Sequence, residues 1–180
     1  MYMRYNTLTL SGGQMLGFKL TIPHARFDEA TLTNDIGLGE TYYPMVLGVP
    51  NAQKIKLPPT QKMISGINVN ISGWGSTDPR SPVFSQDLQI AELTTIGEEE
   101  CRAKHREAGS EAKIFCARSE HGEVCSTSGD RGGPGVMNKV LFGVLITRFK
   151  VGCEDEDNAE IFTDVGQYVD WIKLFIPPDY

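Results

Sequence analysis

The sequence predicts an all-β chain that closes on a single C-terminal helix. Three observations carry that reading. Nineteen glycines and ten prolines are scattered through 180 residues, which suits many turns between short strands. Apolar and polar residues alternate in stretches such as Ile67–Ile71 and Leu88–Leu93, the period of a half-buried strand. Apolar residues at helical spacing mark the end of the chain, at Val165, Tyr168, Val169, Ile172, Phe175 and Ile176; Pro177 stops that helix.

The elements follow in order. Residues 2–10, rich in Tyr, Thr and Leu, read as a strand, and Ser11-Gly12-Gly13 as a turn. Residues 14–22 form a second strand before Pro23. Residues 40–62 carry Pro44, Pro50, Pro58 and Pro59 and read as an extended linker. The alternation of Ile67, Val69 and Ile71 predicts a strand running into Ser72-Gly73-Trp74-Gly75. Residues 76–82 read as a loop and Leu88–Leu93 as a further strand. Thr95 with Glu98 three residues on predicts a capping box. The helix it opens is expected to reach about Glu107 and stop at Gly109; Glu98, Glu99 and Glu100 complement its dipole. Strands are expected at Lys113–Ala117 and Lys139–Thr147.

Composition excludes several classes of function. A net charge of −6 opposes a nucleic-acid surface, which needs clustered Lys and Arg. No apolar run is long enough to span a bilayer. Cysteines at 101, 116, 125 and 153 contain no Cys-x-x-Cys pair, and the histidines at 24, 105 and 121 have no zinc-site spacing; neither a metal nor a cofactor is implied. Two disulfides in a secreted protein fit these cysteines. The opening Met1-Tyr2-Met3-Arg4-Tyr5-Asn6 has no apolar signal core. Either a leader lay upstream of a truncated start, which is the favoured reading, or the thiols are reduced in a cell. The acidic run Glu154-Asp155-Glu156-Asp157 lacks the ligand alternation and central glycine of an EF-hand loop. It reads as a solvated loop, with weak calcium or a basic protein as the alternatives.

The stretch with chemical content is Gly129-Asp130-Arg131-Gly132-Gly133-Pro134. Its glycines permit a sharp turn with positive φ and let backbone N–H groups point into one hollow. The loop resembles the nucleophile loop Gly-Asp-Ser-Gly-Gly-Pro of trypsin-like serine proteases, with Arg131 at the serine position. Further segments carry the same resemblance: Asn34-Asp35-Ile36-Gly37-Leu38, Ser72-Gly73-Trp74-Gly75, and Tyr168 with Trp171-Ile172. Within the family the chain resembles the mite trypsin-like proteases, including the group 3 mite allergens, and the inactivated protease paralogues of the scabies mite.

The resemblance implies a trypsin-like double antiparallel β-barrel whose N-terminal barrel is incomplete. A partial first barrel would occupy residues 1–42, an inter-barrel linker 43–59, the second barrel 60–165 and the C-terminal helix 166–176. Unpaired edges are then expected in the first part, and the second barrel is expected to be the stable one. Cys101–Cys116 and Cys125–Cys153 are the implied bridges. Asp35 takes the place of the triad aspartate, and Gly129, Asp130 and Arg131 form an oxyanion-hole remnant. Asp130 is expected to pair with Arg131 or remain solvated. Lys150 and Glu160 replace glycines that keep the specificity pocket open, and could pair across it; Glu123 stands at the pocket floor.

A guanidinium is always protonated and has no lone pair with which to attack a carbonyl. No Ala-Ala-His-Cys segment occurs. His24 reads as a surface or turn histidine, and His105 and His121 have no general-base context. Ser126 and Ser128 lie near the turn but off it. The expected function is therefore that of a catalytically inactive serine protease homologue, secreted, which binds a protein such as a host defence or protease-cascade component. The alternatives are an endopeptidase completed by a missing N-terminal segment or partner chain, and a partial product without activity of its own.

Overall fold

A computed structural model of the chain describes residues 1–78, 81–120, 126–127, 129–146 and 159–176. Strands β1 (Tyr2–Tyr5), β2 (Gln14–Pro23) and β3 (Gly37–Thr41) form an antiparallel sheet in the order β1-β2-β3. Strands β4 (Asn68–Gly73), β7 (Gln89–Thr95), β8 (Ile114–Arg118), β9 (Pro134–Met137), β10 (Val140–Leu145) and β11 (Glu160–Asp164) close into a six-stranded barrel, in the ring order β10-β11-β8-β7-β4-β9. The fold is mostly β, with one closed barrel and a short helical C-terminal segment.

Alternation explains the barrel core. Val69 on β4 stands opposite Leu93 on β7, and Phe162 on β11 opposite Phe115 on β8. These four side chains, with Ala117 and Leu145, are buried together. The Phe115 and Phe162 rings stack 4.9 Å apart and within 6° of parallel. Gly143 on β10 makes room for them: a Cβ there would lie 2.7 Å from Phe115 and 3.0 Å from Phe162, closer than packed carbons tolerate. A disulfide joins Cys101 to Cys116. It ties helix α1 (Glu98–Lys104) to β8, and both cysteines are buried in a second cluster with Leu32, Ile114, Ile146 and Ile161.

Several elements differ from the sequence expectation. The first strand covers only residues 2–5 of the expected 2–10. Beyond Tyr5, Asn6 takes a positive φ of 56°, and the Thr7 hydroxyl bonds the Thr9 carbonyl and receives the Thr9 N–H, a local turn that competes with pairing. The expected loop at residues 76–82 instead contains a hairpin of β5 (Ser76–Asp78) and β6 (Ser81–Phe84). No capping box forms. Gly97 is the N-cap of α1, with no side-chain cap bond. Thr95 is still in β7; its hydroxyl donates to the Ile64 carbonyl at 2.8 Å and accepts the Ile67 N–H at 2.9 Å. The helix ends at Lys104 rather than near Glu107, because buried His105 caps it, holding the Ala159 carbonyl 2.8 Å from its Nε2. The C-terminal helical segment is a 3₁₀ turn (Val165–Tyr168) followed by helix α2 (Val169–Ile172), and is shorter than its apolar pattern.

Two sets of contacts fix the open sheet to the barrel. The Leu10 N–H donates to Gln86 and the Leu88 N–H to Leu8, both at 2.8 Å. Ile36, Leu38 and Leu57 pack against the cluster of Val165, Tyr168 and Ile172. The proline-rich stretch does not hang free: Lys56 bonds Lys139 and Leu141 through its backbone, alongside β10.

Candidate functional site

The segment holding Asp35 is anchored from both ends. The Thr163 hydroxyl on β11 donates to the Asp35 carbonyl at 2.7 Å, and the Tyr168 hydroxyl lies 3.2 Å from Asn34 Oδ1. Burial raises the Tyr168 phenol to about 12, so it stays protonated and able to donate at physiological pH. These bonds point the Asp35 carboxylate toward the glycine loop. There Arg131 Nη2 lies 3.2 Å from Asp35 Oδ2. The arginine side chain is 52% exposed and the aspartate 22%. Two residues distant in sequence thus meet as an ion pair across the junction of the open sheet and the barrel.

The loop itself is held rigidly. Gly129 and Gly132 take φ of 104° and 83°, a region in which an L side chain is strained. Gly132 donates to Leu145 at 2.9 Å, Leu145 donates back to Gly133 at 2.8 Å, and Gly133 donates to the Asp130 carbonyl at 2.8 Å. The loop is therefore laced to β10 on one side and folded on itself on the other.

Asp130 neither pairs with Arg131 nor remains solvated, contrary to the sequence expectation. Its Oδ1 accepts the Gly75 N–H at 2.9 Å, and its Oδ2 accepts the Thr127 N–H at 2.9 Å. The Thr127 hydroxyl stands 3.2 Å from Oδ2 and donates to the Ser76 carbonyl at 2.7 Å. Two oriented amides stabilise the carboxylate where it sits, and Arg131 is left to reach Asp35. Thr127 has no assigned role in the sequence reading. Its signal is a hydroxyl three residues ahead of a carboxylate, in a turn where Asp130 N–H donates to the Thr127 carbonyl at 3.1 Å.

Glu160, at an expected pocket glycine, is buried and faces Ser126. Oε1 accepts the Ser126 N–H at 2.7 Å, and Oε2 accepts the Ser126 hydroxyl. Desolvation raises its pKa, with these bonds and the neighbouring His105 pulling the other way. Ser126 is thus engaged with a carboxylate rather than poised over the glycine loop. Glu123 and Lys150, the Cys125–Cys153 bridge, Ser128, His121 and the acidic run at 154–157 lie outside the described residues.

The described histidines are occupied elsewhere. His24 accepts the Arg26 N–H on Nδ1 at 3.2 Å and packs against the rings of Tyr168 and Trp171, 5.8 and 5.0 Å away. Partial burial, then Lys113 and Arg26, hold its pKa below the usual value. His105 is the helix cap described above. A cleft of 1730 Å³ runs between the sheet and the barrel, with Arg131 and Asp130 in its wall together with Leu10, Met45, Leu47 and Ile55.

A six-stranded barrel, an Asp-bearing segment docked on it and a Gly-Asp-x-Gly-Gly-Pro turn at their junction are the arrangement of the trypsin fold. The chain belongs to the trypsin family, whose family model matches residues 3–172. It is 34% identical over 176 residues to trypsin Tyr p 3.0101 of Tyrophagus putrescentiae, covering 97% of this chain and 61% of that protein. It is 33% identical over 175 residues to trypsin Blo t 3 of Blomia tropicalis, covering 94% and 65%. The chain therefore spans less than two thirds of the length of either relative. Among solved structures it resembles scabies mite inactivated protease paralogue S-D1, with a TM-score of 0.83 and 27% identity over 94% of this chain and 73% of that one. Paralogue S-I1 gives a TM-score of 0.80 and 30% identity over 96% and 75%.

Proposed function

We propose that this chain is a catalytically inactive trypsin homologue that acts by binding protein. The observation that carries the reading is the Arg131–Asp35 ion pair. At the turn where the family presents a hydroxyl, the chain presents a fixed cation. The carboxylate that would orient an imidazole is taken by that cation. Triad members act as a unit, so losing the nucleophile alone removes nearly all the hydrolytic advantage. Likeness to two solved inactivated protease paralogues supports the same conclusion. Burial of Glu160 at a position implied to line the specificity pocket adds that a substrate side chain would meet a carboxylate there. Secretion is part of the proposal: a buried disulfide suits an oxidising compartment. A host defence or protease-cascade protein is the proposed partner.

Active-site titration tests it. The purified chain is incubated with a fluorophosphonate probe, and labelling is read by intact mass. No adduct is expected. Stoichiometric labelling, or hydrolysis of arginyl or lysyl amides that the probe suppresses, would overturn the reading.

A further inference from the structure

The segment that carries Asp35 contains a leucine in a costly conformation. Leu32 takes a φ of 58°, a left-handed backbone in which Cβ crowds the following carbonyl. Asn34 takes the same φ of 58°, but asparagine tolerates that region. Its amide is also held from both ends: Nδ2 donates to the Arg26 carbonyl at 2.9 Å, and Oδ1 lies 3.2 Å from the Tyr168 hydroxyl. The Leu32 side chain has no polar group with which to support its turn. Such an outlier persists only where its surroundings over-determine it.

The loop closed by the disulfide supplies those surroundings. Leu32 is only 2% exposed and shares a buried cluster with Cys101, Ala112, Ile114 and Cys116, all within the stretch that the Cys101–Cys116 bridge closes. The same loop takes the neighbouring backbone. The Gly109 N–H donates to the Thr31 carbonyl at 2.9 Å, and a Cβ at Gly109 would lie 3.0 Å from the Thr31 Cβ. Arg102 keeps the loop in shape, donating to the Gly109 and Ala112 carbonyls at 3.3 and 3.1 Å. Burying a leucine is worth about as much as its left-handed backbone costs. The turn therefore holds while the seat is filled and relaxes when it is not. The Asp28 N–H donates to the Thr33 carbonyl at 2.9 Å, so Leu32 cannot turn without moving Thr33 and the residues that follow. Thr163 and Tyr168 hold the backbone at Asp35 and the side chain of Asn34; the direction in which the chain enters them is set at Leu32.

We propose that Leu32 is the positioning residue of the Arg131–Asp35 pair: seated in the disulfide-closed loop, it holds the left-handed turn that aims the Asp35 carboxylate at the Arg131 guanidinium. The bridge is thereby a latch on the charge at the glycine turn. With Leu32 seated, the turn presents a cation already paired; with Leu32 unseated, it presents a free one. This assignment rests on the same ion pair as the reading of inactivity and adds what keeps that pair formed.

The test reads the pair through the reactivity of Arg131. The 180-residue chain is treated with phenylglyoxal, which modifies free guanidinium groups, and the Arg131 rate is followed by peptide mass spectrometry against N-acetylarginine in the same tube. Asp35→Asn is expected to raise that rate about two- to fivefold, the protection that an exposed ion pair gives. Leu32→Ala is expected to give the same rise. Leu32→Gly, which enters the left-handed region freely, is expected to keep the wild-type rate although it buries less. A role in packing alone would place glycine level with alanine or beyond it. Leu32→Val, whose branched side chain is poorly tolerated at positive φ, is expected to raise the rate, and Leu32→Met to leave it unchanged. This milder comparison decides where Leu32→Ala loses its native near-UV circular dichroism. Cys101→Ala with Cys116→Ala is expected to raise the rate as Leu32→Ala does. A wild-type rate in both Leu32→Ala and Leu32→Val would overturn the proposal, as would equal rates for Leu32→Gly and Leu32→Ala. An equal rise in Phe115→Leu, which alters the other barrel cluster, would assign the effect to general loosening and overturn it too. Protection lost in Asp35→Asn but kept in the Leu32 variants removes this assignment alone. An Arg131 rate that Asp35→Asn does not move removes the pair itself, and with it both this assignment and the observation behind inactivity.

Discussion

The Gly75 amide donates to Asp130 Oδ1 at 2.9 Å, and any side chain at Gly75 would be built into that carboxylate. The carboxylate cannot yield easily, because Thr127 holds its other oxygen. Gly75→Ala is therefore expected to destabilise the chain by about 1–3 kcal/mol, the usual penalty of overpacking a fixed site. Adding Asp130→Ala is expected to recover part of that loss, since the obstructing group is gone. A double-mutant cycle in urea measures the coupling; additive losses would show that the two residues do not meet.

Arg131→Ser restores the family residue at the turn without supplying an imidazole beside it. No rise in peptide amide hydrolysis and no fluorophosphonate adduct are expected. The substitution breaks an ion pair whose arginine is half exposed, so stability is expected to change by only about 0–1 kcal/mol. Hydrolysis by Arg131→Ser would mean that another group acts as the base.

Acidity is expected to favour the fold through two buried carboxylates. Burial raises Glu160 and Asp164 above their ordinary values of 4.5 and 3.8. A carboxyl whose folded pKa is raised binds its proton more tightly when folded. Its contribution to stability is full below the unfolded pKa and is lost as pH rises through the folded one. For these two groups, unfolding free energy is expected to decline as pH climbs out of the ordinary carboxylate range. Glu160→Gln keeps an acceptor for Ser126 and removes the titration. It is expected to flatten the pH profile of urea unfolding, and an unchanged profile would assign the dependence to other groups.

Removal of the Cys101–Cys116 bridge by a double Ala substitution opens a loop with a sequence separation of 15. Loop-closure entropy for that length is about 3 kcal/mol. Both cysteines are also buried, so the loss is expected to be at least that large. Equilibrium denaturation of the double variant against the reduced and oxidised wild type measures it.

Strands β4 and β7 were legible because their residues alternate and set Val69 and Leu93 in one core, whereas β8 and β11 are buried on both faces and carry no such period. The β5–β6 hairpin was hidden by the prolines at 79 and 82 in the sequence, residues that read as loop. Thr95 and Glu98 have capping-box spacing, yet strand β7 claims Thr95, so a local signal lost to sheet pairing. Arg131 and Asp35 were each visible as departures or matches of a motif. That they would face one another was not, since the separation of 96 residues carries no local periodicity. The turning of Asp130 toward Gly75 was likewise a long-range choice, decided by which amide the barrel brings near, whereas its bond to Thr127, three residues away, is local.

Ring closure of the barrel also sets how the molecule yields to force. The six barrel strands each have two neighbours, so none can be unzipped alone. A pull on any one of them is shared by the ladders on both of its sides, and the ring holds until those ladders shear together.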